Sequence, residues 1–246
     1  MKTQPLYHPH NRNWLLHYGS DYKGLPVLYD EDRHGPLVVN FLEKTLKVLD
    51  RVKSRTSRTF ALRFDLYLPP YNVRPRGTDE GSAILKDFWQ NLSRELRRAH
   101  LTHKPNFDYI WAREVGAVAG RPHFHVLVLI DGNAIQTLGN PAPSPDATFS
   151  DNTMAHRITR SWLSALNLPA TIDFGHLVHF QKDPYSGQFI THHLHRSDHH
   201  AWCQLFYIAS YLCKAFSKQV GQGIRSFDTS RSYNRASSST DLDPAL

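Results

Sequence analysis

The chain has 246 residues, enough for one sizeable domain with or without extensions, and its 40% hydrophobic and 12% aromatic content supplies a real core. Lys plus Arg number 29 against 22 Asp plus Glu, and the resulting charge of +7 favours a polyanionic partner, nucleic acid first. No run approaches the ~20 apolar residues of a membrane-spanning helix, the opening MKTQPLYHPHNRNW lacks the apolar core of a signal peptide, and Cys203 and Cys213 are too few for a disulfide framework, so a reduced cytoplasmic setting is expected.

Residues 1–35 are polar, aromatic and turn-rich, and read as an arm with little regular structure. From Leu37 to Val52, apolar residues at Val38, Phe41, Leu42, Leu46 and Leu49 predict an amphipathic helix. FALRFDLYL, Phe60 to Leu68, alternates as a strand and ends at Pro69-Pro70. Phe60, Leu62, Phe64, Leu66 and Leu68 face a core, and Arg63, Asp65 and Tyr67 face the other way. A helix is predicted from Ser82 to His100, with Ile84, Leu85, Phe88, Leu92 and Leu96 inward. Residues 131–150, with three prolines, read as a surface excursion. Asn152 to Leu166 predicts a third helix, Ile172 to Phe180 a strand, and the histidine-rich stretch to His200 a solvated helix start. Ala201 to Val220 is the last long helix, ended by Gly221 and Gly223. Residues 229–246 are poor in apolar content and are expected to be a disordered tail.

The stretch FDYIWAREVGAVAGRPHFHVLVLID, Phe107 to Asp131, reads as two strands joined by a hairpin. His123 and His125 flank Phe124, so both imidazoles project from one face while Phe124, Val126, Val128 and Ile130 enter a core. A hairpin closing about residues 118 and 119 puts Glu114 opposite His123, on the histidine face, whereas a slip of one residue turns it away. A His-x-His pair alone in a strand is commonly structural. The facing carboxylate, the apolar alternates and the later Tyr211 and Lys214 turn the reading towards an open three-ligand site for a divalent ion. The histidines from His192 to His200 match no ligand spacing.

In the last predicted helix, Tyr207, Tyr211, Lys214 and Lys218 recur at spacings of four, three and four, which places them on one face. A phenol with a pKa of about 10 is a poor nucleophile at neutral pH, and a neighbouring ammonium favours its phenolate. On a half-buried helix such residues are also ordinary, so this spacing alone assigns no chemistry.

Taken in order, the HFH at 123–125, the carboxylate nine residues upstream and the later YLCK resemble the HUH endonucleases, single-strand DNA nickases that include rolling-circle replication initiators. FALRFDLYLP, EVGAVAGRPHFH and SYLCKAFSK look most like the inovirus-type replication proteins of filamentous phages and prophages. The resemblance spans residues 36–228. It implies an α+β, RRM-like fold with a central antiparallel sheet flanked by helices. It also implies Glu114, His123 and His125 as ligands of Mg²⁺ or Mn²⁺, and Tyr211 as the nucleophile with Lys214 beside it. Tyr207 is a candidate second tyrosine, although one essential tyrosine is favoured. Origin or single-stranded DNA would be the substrate, and the host helicase and polymerase the partners, in a bacterial cytoplasm. Arg113, Arg121 and Lys218 are candidate DNA-backbone contacts. Two other readings stay open: a sequence-specific DNA-binding regulator that never cleaves, and a metal-dependent phosphoesterase that uses water. A structural zinc site fits least, because neither cysteine lies near the histidine pair in sequence.

Overall fold

The computed structural model describes residues 5–33, 35–70, 80–103, 105–115, 122–216, 218, 220–221 and 223–231. Among the described residues, an antiparallel sheet carries helices on both faces, the expected α+β arrangement. The chain opens with β1 (Tyr7–His8), β2 (Asn11–His17), β3 (Asp21–Tyr22), β4 (Leu25–Pro26) and β5 (Leu37–Val38). The main elements then run α1 (Val39–Arg55), β6 (Arg58–Tyr67), α2 (Glu80–Arg98), β7 (Phe107–Val115), β8 (Pro122–Asp131) and α3 (Met154–Ala165). The short α4 (Ile172–Gly175), β9 (Val178–Phe180), β10 (Thr191–His195), α5 (His199–Ser210) and β11 (Phe227–Thr229) complete the set.

The main sheet has the order β10-β6-β8-β7-β11, with β9 also paired to β6, beyond the end of β10. β8 is central and covered on both sides, so every residue from Phe124 to Ile130 is buried. On one face, Phe60, Phe64, Phe124, Val126 and Val128 pack against Leu85, Phe88 and Leu92 of α2 and Ile158 and Trp162 of α3. On the other, Ala61, Ile110, Ala112, Leu127 and Leu129 meet Leu42 and Leu49 of α1 and Leu205, Phe206 and Ala209 of α5. The stripe Phe41, Leu42, Thr45, Val48, Leu49 and Val52 explains why α1 forms as a helix lying on that face. The Trp162 indole N–H donates to the Tyr67 carbonyl at 3.0 Å and ties α3 to the end of β6.

The structure departs from the sequence reading in five places. The described residues of the arm, 5–33 and 35, are ordered: β1, β2 and β5 form a small sheet, and Trp14, Leu16, Tyr22 and Val27 are buried against the α1 layer. The strand expected over 172–180 is the helical turn α4 followed by the shorter β9. The histidine-rich stretch holds a strand, β10, because backbone pairing of His192 with Ala61 and Leu194 with Thr59 extends the sheet at β6. The last helix stops early: α5 ends at Ser210, Tyr211–Cys213 form a 3-10 turn, and Lys214 turns to extended backbone. The cause is tertiary, since Lys214 forms a backbone bridge with Leu37 and the Ala215 N–H donates to the Pro36 carbonyl at 2.8 Å. At the far end, Thr229 still pairs with Ile110 and the Ser230 hydroxyl donates to Asp108 at 2.7 Å, while 232–246 of the expected tail lie outside the described residues.

Candidate functional site

The hairpin register is the one the sequence reading favours, with Glu114 of β7 opposite His123 of β8. β6 completes the arrangement from the other side, Tyr67 opposite His123 and Asp65 opposite His125. Two rows therefore cross the sheet on one face: Tyr67, His123, Glu114, and beside it Asp65, His125, Ala112. Alternation alone dictates this once the pairing is set, because every partner in a row shares a face.

One ligand atom from each of Glu114, His123 and His125 lies within 4.8 Å of the others. The Nε2 atoms of the two histidines are 3.3 Å apart, and His125 Nε2 is 3.4 Å from Glu114 Oε2. His125 Nδ1 meets Asp65 Oδ1 at 2.6 Å, which fixes the ring and directs Nε2 at Glu114 and His123. Tyr67 stacks on His123 with ring centroids 5.5 Å apart and planes 16° from parallel. Two imidazole nitrogens and a carboxylate converging on one point form a donor set that fits a divalent cation. No other group of three or more His, Cys, Asp or Glu residues converges in this way among the described residues, so the run from His192 to His200 builds no second centre.

The site is electrostatically locked. Burial opposes ionisation of Glu114, yet His125, Lys218 and Lys214 outweigh it and hold the carboxyl far below the usual range. Burial likewise disfavours the His125 imidazolium, but Asp65 and Glu114 reverse this and raise its pKa. Asp65 is pushed down despite its own burial, through His125 with help from Arg63 and Gln181. Lys214 Nζ sits 2.9 Å from Glu114 Oε2 and Lys218 Nζ 3.4 Å from Oε1. A bound cation would share this carboxylate with two ammonium groups.

Tyr211 reaches the cluster from the 3-10 turn. Lys214 Nζ donates to its hydroxyl at 2.7 Å, and its ring lies 5.6 Å from that of His125. The Arg63 guanidinium covers the Tyr211 ring at 4.4 Å. Lys214 thus joins the tyrosine hydroxyl to a candidate metal ligand, each one hydrogen bond away.

The remaining sequence candidates separate. Tyr207 is half-buried on α5, and its side chain makes no hydrogen bond or ion pair with the cluster among the described residues. Arg113 pairs with Phe124, so it points to the opposite face from Glu114 and lies by Gly81 of α2. A contact from Arg113 to DNA at the metal face is therefore corrected. Lys218 is corrected as well: its side chain is 0% exposed against Glu114, so it neutralises that carboxylate instead of meeting a DNA backbone. Burial lowers its pKa to about 8, Glu114 partly opposing. Arg121 lies outside the described residues. Cys213 is a buried neighbour of Thr45, its thiol pushed up to about 12 by burial, and both cysteines are free.

Sequence reasoning assigned no role to Asp65, Tyr67 and Arg63, although it placed all three on the face of β6 turned from the first core. Their signal was that alternation; the missing step was the pairing of β6 with β8. His179 and Gln181, both at Asp65, depend on β9 and carried no comparable signal.

Comparison with known proteins adds a family. A family model, the YagK/YfjJ C-terminal domain, matches residues 20–230, and the chain belongs to this family. It is 25% identical over 210 residues to the uncharacterized protein YagK of Escherichia coli K12, covering 80% of this chain and 95% of that one. It is 29% identical over 223 residues to the uncharacterized protein YfjJ of the same organism, covering 83% of this chain and 100% of that one. No solved structure matches. Among the described residues, no helix is long and apolar enough to cross a membrane.

Proposed function

Taking membership of the YagK/YfjJ C-terminal domain family as the premise, we propose that the chain is a metal-dependent single-strand DNA nickase and strand-joining enzyme of the HUH type. It acts through a 5′-phosphotyrosine. The observation that carries this reading is Lys214, which donates to the Tyr211 hydroxyl and ion-pairs with Glu114 of the Glu114–His123–His125 set.

Glu114, His123 and His125 would hold Mg²⁺ or Mn²⁺, which when bound would supply Lewis acidity to the scissile phosphate. The chain's own residues do the rest. Tyr211 Oη attacks phosphorus; the new Tyr–O–P bond replaces the P–O3′ bond, and the 3′ oxygen leaves as a hydroxyl. The phenolic proton departs to solvent and the leaving oxygen takes one up, so the exchange is balanced. Lys214 stabilises the phenolate before attack and the added negative charge at phosphorus during it. Asp65 holds His125 in its ligating orientation, and Tyr67 packs His123 from the outer side. The ester exchange conserves bond energy, so a later 3′-hydroxyl can reverse it and close a strand. By the same resemblance, the released 3′-hydroxyl would be extended by a host polymerase while a host helicase unwinds the duplex.

The test is incubation of labelled single strands with the protein and Mn²⁺, followed by denaturing electrophoresis. The expected result is a covalent protein–DNA band that Tyr211→Phe abolishes. Cleavage that survives Tyr211→Phe points instead to a phosphoesterase that uses water. Binding without any adduct points to a regulator.

A further inference from the structure

Beyond the candidate metal cluster, one feature at the edge of the sheet beside β6 stands out from the surface. Residues 181–190 form a hairpin between β9 and β10, closed by paired backbone bonds. Ile190 N–H donates to the Gln181 carbonyl at 2.9 Å and Asp183 N–H to the Gln188 carbonyl at 2.8 Å. The Asp183 side chain accepts from the N–H groups of Tyr185 at 3.1 Å and Ser186 at 2.7 Å, and Gly187 supplies the positive φ of 69° that closes the turn. The tip is therefore a built turn, yet Tyr185 on it is 98% exposed, an arrangement that holds a large aromatic ring in water without contact.

The root of the same hairpin is fastened to the site. Gln181 Nε2 donates to Asp65 Oδ2 at 3.3 Å, and His179 Nδ1 lies 3.9 Å from the same oxygen. Between root and tip, the exposed Lys182 lies 4.9 Å over the Phe189 ring. Lys182 also lines a hollow of about 600 Å³ with His179, Phe180, Gln181 and Ile190. A cationic head, an unoccupied aromatic face and a neighbouring hollow, on an arm rooted beside the candidate metal ligands, match the needs of one ligand class. Single-stranded DNA offers unpaired bases that stack on aromatic rings and phosphates that meet lysine.

We propose that the hairpin 181–190 is a strand-holding arm, in which Tyr185 stacks on an unpaired base of single-stranded DNA and Lys182 meets the adjoining phosphate. This deepens the nickase reading and rests on it for the identity of the strand. The arm works by holding the strand at a point set off from the cluster, so that the scissile phosphate is presented to Tyr211 and not merely captured by general positive charge.

The experiment measures fluorescence anisotropy of a short labelled oligothymidylate in EDTA, with adduct formation in Mn²⁺ assayed in parallel. Tyr185→Ala is expected to weaken binding about tenfold, the scale of one base–aromatic stack, while Tyr185→Trp retains it. Lys182→Ala is expected to weaken binding and flatten its salt dependence by about one phosphate contact. Tyr185 touches nothing in the core, and circular dichroism of the variants confirms that they fold. If both alanine variants bind as the wild type does, or the wild type does not bind the oligonucleotide, the arm is overturned. Should the wild type form the covalent adduct while the variants bind normally, only the arm fails. Weakened binding by the variants with no adduct from the wild type supports the arm and removes the nickase reading alone.

Discussion

Asp65 Oδ1 lies 2.6 Å from His125 Nδ1, across adjacent strands β6 and β8. A carboxylate in this position fixes both the tautomer and the ring plane of a ligating histidine. Asp65→Asn keeps the shape but loses the charge and leaves an amide that can present the wrong hydrogen-bonding group. Manganese affinity, read by calorimetry, is expected to fall about 10- to 100-fold. An unchanged affinity would show that Asp65 has no hold on the metal site.

The same contact sets a pH dependence. His125 has a pKa raised above its ordinary 6.5, so in the metal-free protein its protonated form adds stability that is fully present below that value. That contribution is lost as pH rises through the higher folded-state pKa. A cation needs the neutral ring, so metal affinity should rise over the same interval, with protons released on binding. Glu114 contributes in the opposite sense: its stabilisation is present above its ordinary 4.5 and is given up as pH falls below it. Melting curves in EDTA are therefore expected to show Tm falling as pH climbs from the ordinary histidine value towards 8, where buried Lys218 is about half deprotonated and its lowered pKa adds an opposing slope. A flat Tm across this window would contradict the charged His125.

Glu114 neutralises a fully buried ammonium. Glu114→Gln leaves Lys218 without its carboxylate in a site that excludes water. The expected loss in urea denaturation is about 3 kcal/mol, together with loss of metal binding. Pairing it with Lys218→Met should recover much of the stability and none of the metal binding, since the second change removes the stranded charge. Additive losses in the double variant would argue against this coupling.

Tyr211 and Lys214 separate chemistry from binding. Tyr211→Phe is expected to retain manganese and oligonucleotide binding while covalent adduct formation disappears. Lys214→Met removes one preorganised donor at the reacting oxygen, and adduct formation should slow by about 10²- to 10³-fold. Equal rates for Lys214→Met and the wild type would leave the lysine a structural partner of Glu114 only.

Much of the candidate site was legible before any fold was known. His123 and His125 share a face because a strand repeats every two residues, and Glu114 joins them because β7 and β8 pair in the register expected of a turn about residues 118 and 119, a turn that itself lies outside the described residues. The tyrosine and lysine at 211 and 214 were also found, but for a reason that holds only in part. A continuous helix was expected to align Tyr207, Tyr211, Lys214 and Lys218. Instead the helix ends at Ser210, and the pair at 211 and 214 meets through a 3-10 turn.

Local pattern therefore determined what depends on neighbours in the chain: the amphipathic helices, the alternation of Phe60 to Leu68, and the face carrying the histidines. Tertiary structure decided what depends on contacts far apart in sequence. Pairing of β6 with β8 brought Asp65 to His125 and Tyr67 to His123, partners about sixty residues away that no periodicity can choose. The bridge between Leu37 and Lys214 stopped the last helix and aimed the lysine at Glu114. It also carried Lys218 inward, turning a presumed surface charge into part of the buried cluster. Strand order and long-range register are chosen by which apolar faces bury best together, and that choice is made by the whole chain.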